Sequence, residues 1–139
     1  MTDAVLKGGC LCGAVRYEIT GAPMMAGHCH CEHCRKASGA AHGSFAAYPV
    51  EAVKIAGKLT HFKTKADSGM MSGRGFCPTC GSWVSGNPEA MPSVIAITLA
   101  TLDDPEAVAP QMRFYDKRRI SWDTVDPALP AFPAMPPRG

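Results

Sequence analysis

Apolar residues in this chain recur in short alternating or continuous runs that glycine and proline interrupt. Ala14-Val15-Arg16-Tyr17-Glu18-Ile19 alternates apolar with polar positions before Gly21-Ala22-Pro23, the period-two pattern of a strand with one buried face. Val53-Lys54-Ile55 leads into Gly57, and Leu59-Thr60-His61-Phe62-Lys63-Thr64 follows it, which reads as strand, turn, strand. The apolar run Val94-Ile95-Ala96-Ile97-Thr98-Leu99 suits a central buried strand, and Met112-Arg113-Phe114-Tyr115 is a shorter candidate. No stretch beyond about ten residues keeps a 3.6 period free of Gly and Pro. Helix is expected only over Glu32–Ser38 and near positions 103–108. The pattern predicts a mainly β single domain, residues 1–125, that carries its reactive side chains in loops. A Pro-rich tail, residues 126–139, follows. Its Pro127, Pro130, Pro133, Pro136 and Pro137 enforce extended, non-helical chain. Phe132 is expected to anchor the first part of the tail on the body, with the remainder mobile.

Composition narrows the classes. A chain of 139 residues suits one domain, modest enough that a metal cross-link would help its core. Fourteen basic against twelve acidic residues leave a net charge of +2, spread along the chain. That balance offers no basic stripe for nucleic acid, and Lys117-Arg118-Arg119 reads as a solvated turn. The sequence opens with neither a secretory signal nor a membrane-length apolar run, so no membrane is expected as a partner. The oligomeric state stays open.

Seven cysteines fall into three groups. Cys10 and Cys12 form a C-x-C pair, Cys29, Cys31 and Cys34 a C-x-C-x-x-C triplet, and Cys77 and Cys80 a C-x-x-C pair. The two pairs supply the four thiolates of a closed tetrahedral zinc site, whereas the triplet supplies three and leaves one position free. Gly13 and Gly81 directly follow the pairs, where a residue free to adopt positive φ lets a tight turn close around a metal. Disulfides compete with this reading, but an odd number of cysteines cannot all pair. Clustered thiols then point to a reducing cytoplasm and to metal binding or redox chemistry. Iron or a redox dithiol are the alternatives at the pairs, and a set of reduced, partly buried thiols is the alternative at the triplet.

The segments GGCLCGAVRYE (8–18), GHCHCEHCRKASGAA (27–41), GRGFCPTCGSWV (73–84) and ITLATLDDP (97–105) resemble, in order and approximate spacing, the glutathione-dependent formaldehyde-activating enzyme family, which shares a domain with centromere protein V. The resemblance implies a β-tent fold, two small twisted sheets of antiparallel strands held at one edge by zinc. It implies two zinc ions per chain. Cys10, Cys12, Cys77 and Cys80 align with the structural ligands; Cys29, Cys31 and Cys34 align with those of a catalytic zinc. The pattern fades after Pro105. Relatives often carry a His nine residues before a Trp; Trp122 is present here, but Arg113 stands at the His position.

Zinc held by three thiolates carries a formal charge of −1, which disfavours hydroxide activation and suits a fourth, incoming thiolate. The expected reaction joins that thiol to an aldehyde carbonyl as an S-hydroxyalkyl adduct, and its reverse is a carbon–sulfur lyase step. The family's reference substrates are glutathione and formaldehyde. Glutathione is anionic, so Arg35 and Lys36, directly after the triplet, are candidate contacts, with Arg74 as a second candidate; solubility and local ion pairing compete as their role. His28, His30 and His33 interleave the triplet, either as a fourth ligand or proton carrier, or pointing outward while the cysteines turn in. Ser38 and Ser44 have no base and orienting group beside them in the sequence. The rival to an enzyme is a zinc-stabilised binding or chaperone-like module on the same fold.

Overall fold

The computed structural model describes residues 5–136; Pro137 of the tail lies outside them. The described residues form ten strands and one α-helix. These are β1 (Val5–Gly9), β2 (Arg16–Thr20), β3 (Met25–Cys29), α1 (Glu32–Ser38), β4 (Gly43–Pro49), β5 (Val53–Ala56), β6 (Thr60–Lys65), β7 (Met71–Phe76), β8 (Trp83–Pro88), β9 (Val94–Thr98) and β10 (Arg113–Phe114). The chain is mainly β, as its patterning predicts. Two sheets result: a small one of order β1-β2-β5, and a large one of order β10-β3-β4-β9-β8-β7-β6. Neighbours are antiparallel except β10, which runs parallel to β3. No helix among the described residues is long and apolar enough to cross a membrane.

Alternation decides β2: Tyr17 and Ile19 are buried, while Arg16, Glu18 and Thr20 face out. The apolar run at 94–99 becomes β9, in the middle of the large sheet, because side chains on both its faces find cover. The runs on either side of Gly57 form strand, turn, strand as read, but the two strands do not pair with each other. β5 pairs with β2 in the small sheet and β6 with β7 in the large one, so the Gly57 turn passes the chain between sheets. β6 is the exposed outer strand of its sheet, and edge strands can take any polar alternation. The helix expected at 103–108 fails, and these positions form turns instead. There Asp103 is committed to a two-pronged contact with Arg16 (Nη1 to Oδ1, 2.9 Å) and its backbone N–H to the Lys7 carbonyl.

The main core fills the space between the sheets, with Val15, Tyr17 and Ile19 against Ala46, Tyr48, Val84, Ile95, Ile97 and Leu99. A second, smaller cluster gathers Cys29, Cys34 and Phe114 with Phe45, Trp83, Tyr115 and Phe132. Consecutive residues of β4 serve different clusters, Phe45 the second and Ala46 the first, so the large sheet is covered on both sides at this end. Phe132 of the tail stacks on Phe114 at 6.5 Å, as its sequence context suggested. The tail backbone adds to β10: Arg113 N–H donates to the Pro130 carbonyl and Phe132 N–H to the Arg113 carbonyl, each at 2.8 Å.

Close approach of β10 to β3 requires a glycine. A Cβ on Gly27 would lie 2.5 Å from Phe114 Cε2 and 2.7 Å from the Met112 carbonyl oxygen. Gly27→Ala should therefore displace β10 and cost about 1–3 kcal/mol, read as a lower urea midpoint. An unchanged midpoint would show that β10 packs less tightly than this contact implies.

Candidate functional site

The two cysteine pairs sit on matching turns that the fold sets face to face. Cys10 and Cys12 follow β1 in the small sheet; Cys77 and Cys80 follow β7 in the large sheet. Each turn curls on itself, with Gly13 N–H to the Cys10 carbonyl at 3.3 Å and Gly81 N–H to the Cys77 carbonyl at 2.8 Å. Gly13 and Gly81 close these turns at φ 83° and 78°. The sulfurs of all four cysteines lie within 4.8 Å of one another. Cys10 Sγ and Cys12 Sγ are 3.6 Å apart, and Cys12 and Cys77 Sγ, 65 positions apart in sequence, are 3.7 Å apart. Four sulfurs at about 2.3 Å from one Zn²⁺ would be about 3.8 Å from each other. A disulfide would need about 2.05 Å, and all seven cysteines are free.

Hydrogen bonds reach the sulfurs of Cys10, Cys77 and Cys80, while Cys12, despite a backbone hydrogen bond at Ala14, is pushed up to about 11 by the Cys10 thiol. Val15 N–H points at Cys10 Sγ (3.3 Å) and Thr79 N–H at Cys77 Sγ (3.4 Å). Ser82 accepts from Leu11 N–H at 3.0 Å and contacts Cys80 Sγ at 3.3 Å, joining the two turns. Hydrogen bonds from Ser82 pull the Cys80 thiol down to about 5. This group can hold a metal, and its donor set suits zinc.

The triplet is built differently. β3 delivers Cys29, and Cys31 caps α1, its sulfur accepting from Cys34 N–H at 3.3 Å. The helix then turns Cys34 back toward Cys29, and all three sulfurs fall within 4.8 Å of one another. Cys29 and Cys34 are buried and Cys31 partly exposed. Hydrogen bonds from the Cys29 and Cys34 thiols draw Cys31 down to about 2, while the Cys31 contact drives Cys29 upward. Clustered thiols thus share protons around one thiolate, and a cation among them would replace those protons. The triplet also can hold a metal, with three sulfur donors from the chain.

Beside Cys34 lies a cavity of about 300 Å³ lined by His33, Lys36, Ala37, Phe62, Thr64 and Arg74. Arg74, on β7, connects it to the triplet. Its Nη2 is 3.8 Å from Cys34 Sγ, its Nη1 donates to Thr64 Oγ1 at 3.3 Å, and its guanidinium lies 5.8 Å from the centre of the Trp83 ring. Lys36 reaches the cavity but also pairs with Glu32 at 3.1 Å. Arg35 does not line it; its Nε is buried without a partner. Tyr115 packs into the second cluster and donates to Asp67 at 2.7 Å. A larger depression of about 430 Å³ runs along the small sheet near Lys7, Arg16 and Lys54, with no cysteine in its lining.

The interleaved histidines do not all face outward. His30 is wholly buried, and His28 donates to or accepts from Ser44 Oγ at 2.7 Å. Ser44 therefore has an imidazole partner that the sequence did not suggest, brought there by the β3–β4 register. Burial first, then the neighbouring His42, pulls His28 down to about 4. His33 alone of the three borders the cavity. Arg113 pairs with Asp116 at 3.4 Å beside His28 in register, and Trp122 is largely exposed. His42 and Asp123 join this region with no warning in the sequence, since neither lies in a metal-ligand spacing with its partners.

Comparison with known proteins agrees with the geometry. A solved structure of a Rhodobacter sphaeroides protein shares the fold, with a TM-score of 0.58 and 21% identity over 91% of this chain and 99% of that one. No individually curated protein gives a match. The sequence matches the glutathione-dependent formaldehyde-activating enzyme family over residues 5–118, a span that includes both cysteine pairs, the triplet and Arg74. On that match the chain belongs to the glutathione-dependent formaldehyde-activating enzyme family.

Proposed function

We propose that this protein is a zinc-dependent carbon–sulfur lyase-type enzyme of β-tent architecture that forms and cleaves adducts between a glutathione-like thiol and a small aldehyde, with formaldehyde as the reference substrate. The observation that carries the reading is a group of three sulfurs beside a cation-lined cavity. Cys10, Cys12, Cys77 and Cys80 would hold one zinc as a structural tie between the sheets, and Cys29, Cys31 and Cys34 a second. Zinc at the triplet would supply an open Lewis-acidic position that accepts the substrate sulfur as its thiolate. The chain's own groups do the rest. Arg74 and Lys36 offer positive charge to the carboxylates of the thiol substrate. Arg74, stacked near Trp83 and tied to Thr64, is held in place for that contact. Phe62 and Ala37 provide apolar wall. Seven unpaired cysteines suit a reducing compartment, the cytoplasm.

Calorimetry in two buffers of different ionisation enthalpy tests this reading. Glutathione should bind the zinc-loaded protein with release of a proton, because a thiol of ordinary pKa near 8.5 enters as thiolate. S-methylglutathione keeps the peptide contacts and should bind distinctly more weakly, without proton release. Arg74→Gln should weaken both ligands by about 10- to 100-fold, in line with the roughly 1.5–3 kcal/mol of a charge-assisted hydrogen bond. Equal affinity for the two ligands, with no proton released, would rule out thiol activation at the triplet.

A further inference from the structure

A third donor cluster lies apart from the cysteines. His30 follows β3, His42 precedes β4, and Asp123 comes from the segment after β10. Their donor atoms all fall within 4.8 Å of one another. His30 Nδ1 is 3.2 Å from Asp123 Oδ2, and His42 Nδ1 is 2.8 Å from the same oxygen. Ligands at about 2.0–2.2 Å from a shared tetrahedral ion would sit about 3.3–3.6 Å apart; the His30 contact is close to that spacing, and the His42 contact is that of a hydrogen bond which an ion would lengthen.

Two features separate this cluster from an ordinary hydrogen-bonded trio. His30 has no solvent exposure, yet neither of its ring nitrogens has a hydrogen-bond partner. Its Nδ1 approaches Asp123 Oδ2 without being aimed at it. Buried polar nitrogens left unmatched are costly. An ion between the three residues would take the Nδ1 lone pair and leave only one ring nitrogen unmatched. Asp123 is also buried, and a buried carboxylate needs compensating charge. His42 supplies a hydrogen bond to it at 2.8 Å.

We propose that His30 Nδ1, His42 Nδ1 and Asp123 Oδ2 form a third metal site, for a divalent first-row transition cation. Two imidazoles and one carboxylate suit zinc and its neighbours of borderline softness. With neutral rings and a divalent ion the site carries a formal charge of +1, opposite in sign to the triplet's. Binding moves the His42 proton from Nδ1 to Nε2 and requires no other reactant. Three chain ligands leave a position for water. Because His30 lies between Cys29 and Cys31 while Asp123 lies far along the chain, the ion would tie the segment after β10 to the loop that carries the triplet.

The test is metal stoichiometry of the intact chain, independent of activity. Two equivalents of zinc, no more than the cysteine groups hold, are first added, and Co²⁺ is then titrated. Wild type should bind one further equivalent, with absorption that lacks thiolate-to-cobalt charge transfer. His42→Gln, at a partly exposed position, and Asp123→Asn should each lose that equivalent, whereas Cys31→Ser should keep it. Circular dichroism of the variants with zinc on their cysteine groups checks that they fold. Wild type that takes up no cobalt beyond the cysteine groups would overturn the proposal. So would a charge-transfer band on the added equivalent, or its retention in folded His42→Gln. Loss of glutathione binding at the triplet would leave these outcomes unaffected, so the two readings fail separately.

Discussion

Cys80→Ser should leave the protein insoluble or strongly destabilised, while Cys34→Ser should fold with a midpoint close to wild type. Cys12 and Cys77 are 65 positions apart, and their two turns belong to different sheets. A zinc shared among Cys10, Cys12, Cys77 and Cys80 would therefore join the two layers that enclose the main core. Structural zinc contributes on the order of 10 kcal/mol to folding in small domains, comparable to the whole net stability of about 5–15 kcal/mol for a typical domain. Removing one of four ligands takes away most of that term. Cys34 lies in the second cluster, against Trp83 and Phe114, on an element whose loss leaves the sheet-to-sheet core intact. Its replacement by serine should cost about 1 kcal/mol, the centre of the single-substitution range. Thermal midpoints of the two purified variants decide the matter, with a strong chelator applied to wild type as a third arm. Equal shifts in Cys80→Ser and Cys34→Ser would mean that the division into a structural and a non-structural group is misassigned.

The second large effect is expected at Cys31. Cys31→Ser should lower thiol–aldehyde condensation by more than about 100-fold, since even groups outside a metal's direct ligands are worth 10–100-fold. Metal analysis should show the cysteine-bound zinc falling from two per chain to one, with circular dichroism unchanged. The position is suited to the test: Cys31 is partly exposed and caps α1 through its sulfur, and serine keeps a capping oxygen. Activity within a few-fold of wild type, together with loss of the second zinc, would separate catalysis from the triplet, whereas a single zinc unaffected by the substitution would leave the zinc-stabilised binding module.

Local spacing carries much of this protein in plain view. Short separations constrain geometry directly, so CLC, CHCEHC and CPTC announced turns able to gather sulfurs before any fold was known. The alternation in β2 and the apolar run of β9 were equally legible, because burial of one face or two leaves a period in the sequence. Strands β3, β7 and β8 were not, since glycines such as Gly27, Gly73, Gly75 and Gly86 replace the β-branched residues that mark a strand. Their value lies in close approach to another element, a property of the neighbour and not of the residue.

Pairing across long separations belongs to the tertiary structure alone. The residues around Gly57 read as strand, turn, strand, but that β5 and β6 pair with different sheets was not legible, because competition for partners is settled by the whole set of strands. Arg35, adjacent to the triplet in sequence, turns away from the cavity, while Arg74, 40 positions from Cys34, reaches its sulfur. A short helix points successive side chains about 100° apart, so neighbours in sequence face different ways, whereas strand register can bring a distant residue to the same spot. His30, His42 and Asp123 make the point most sharply: no spacing links them, and only the ends of β3 and β4 and the segment after β10 bring them together. The sequence by itself determined which chemistry the cysteines can perform, because ligand type and local spacing are covalent properties of the chain. Which cations, histidines and walls surround that chemistry was decided by sheet register and by the packing of β10, which act at distances no local pattern records.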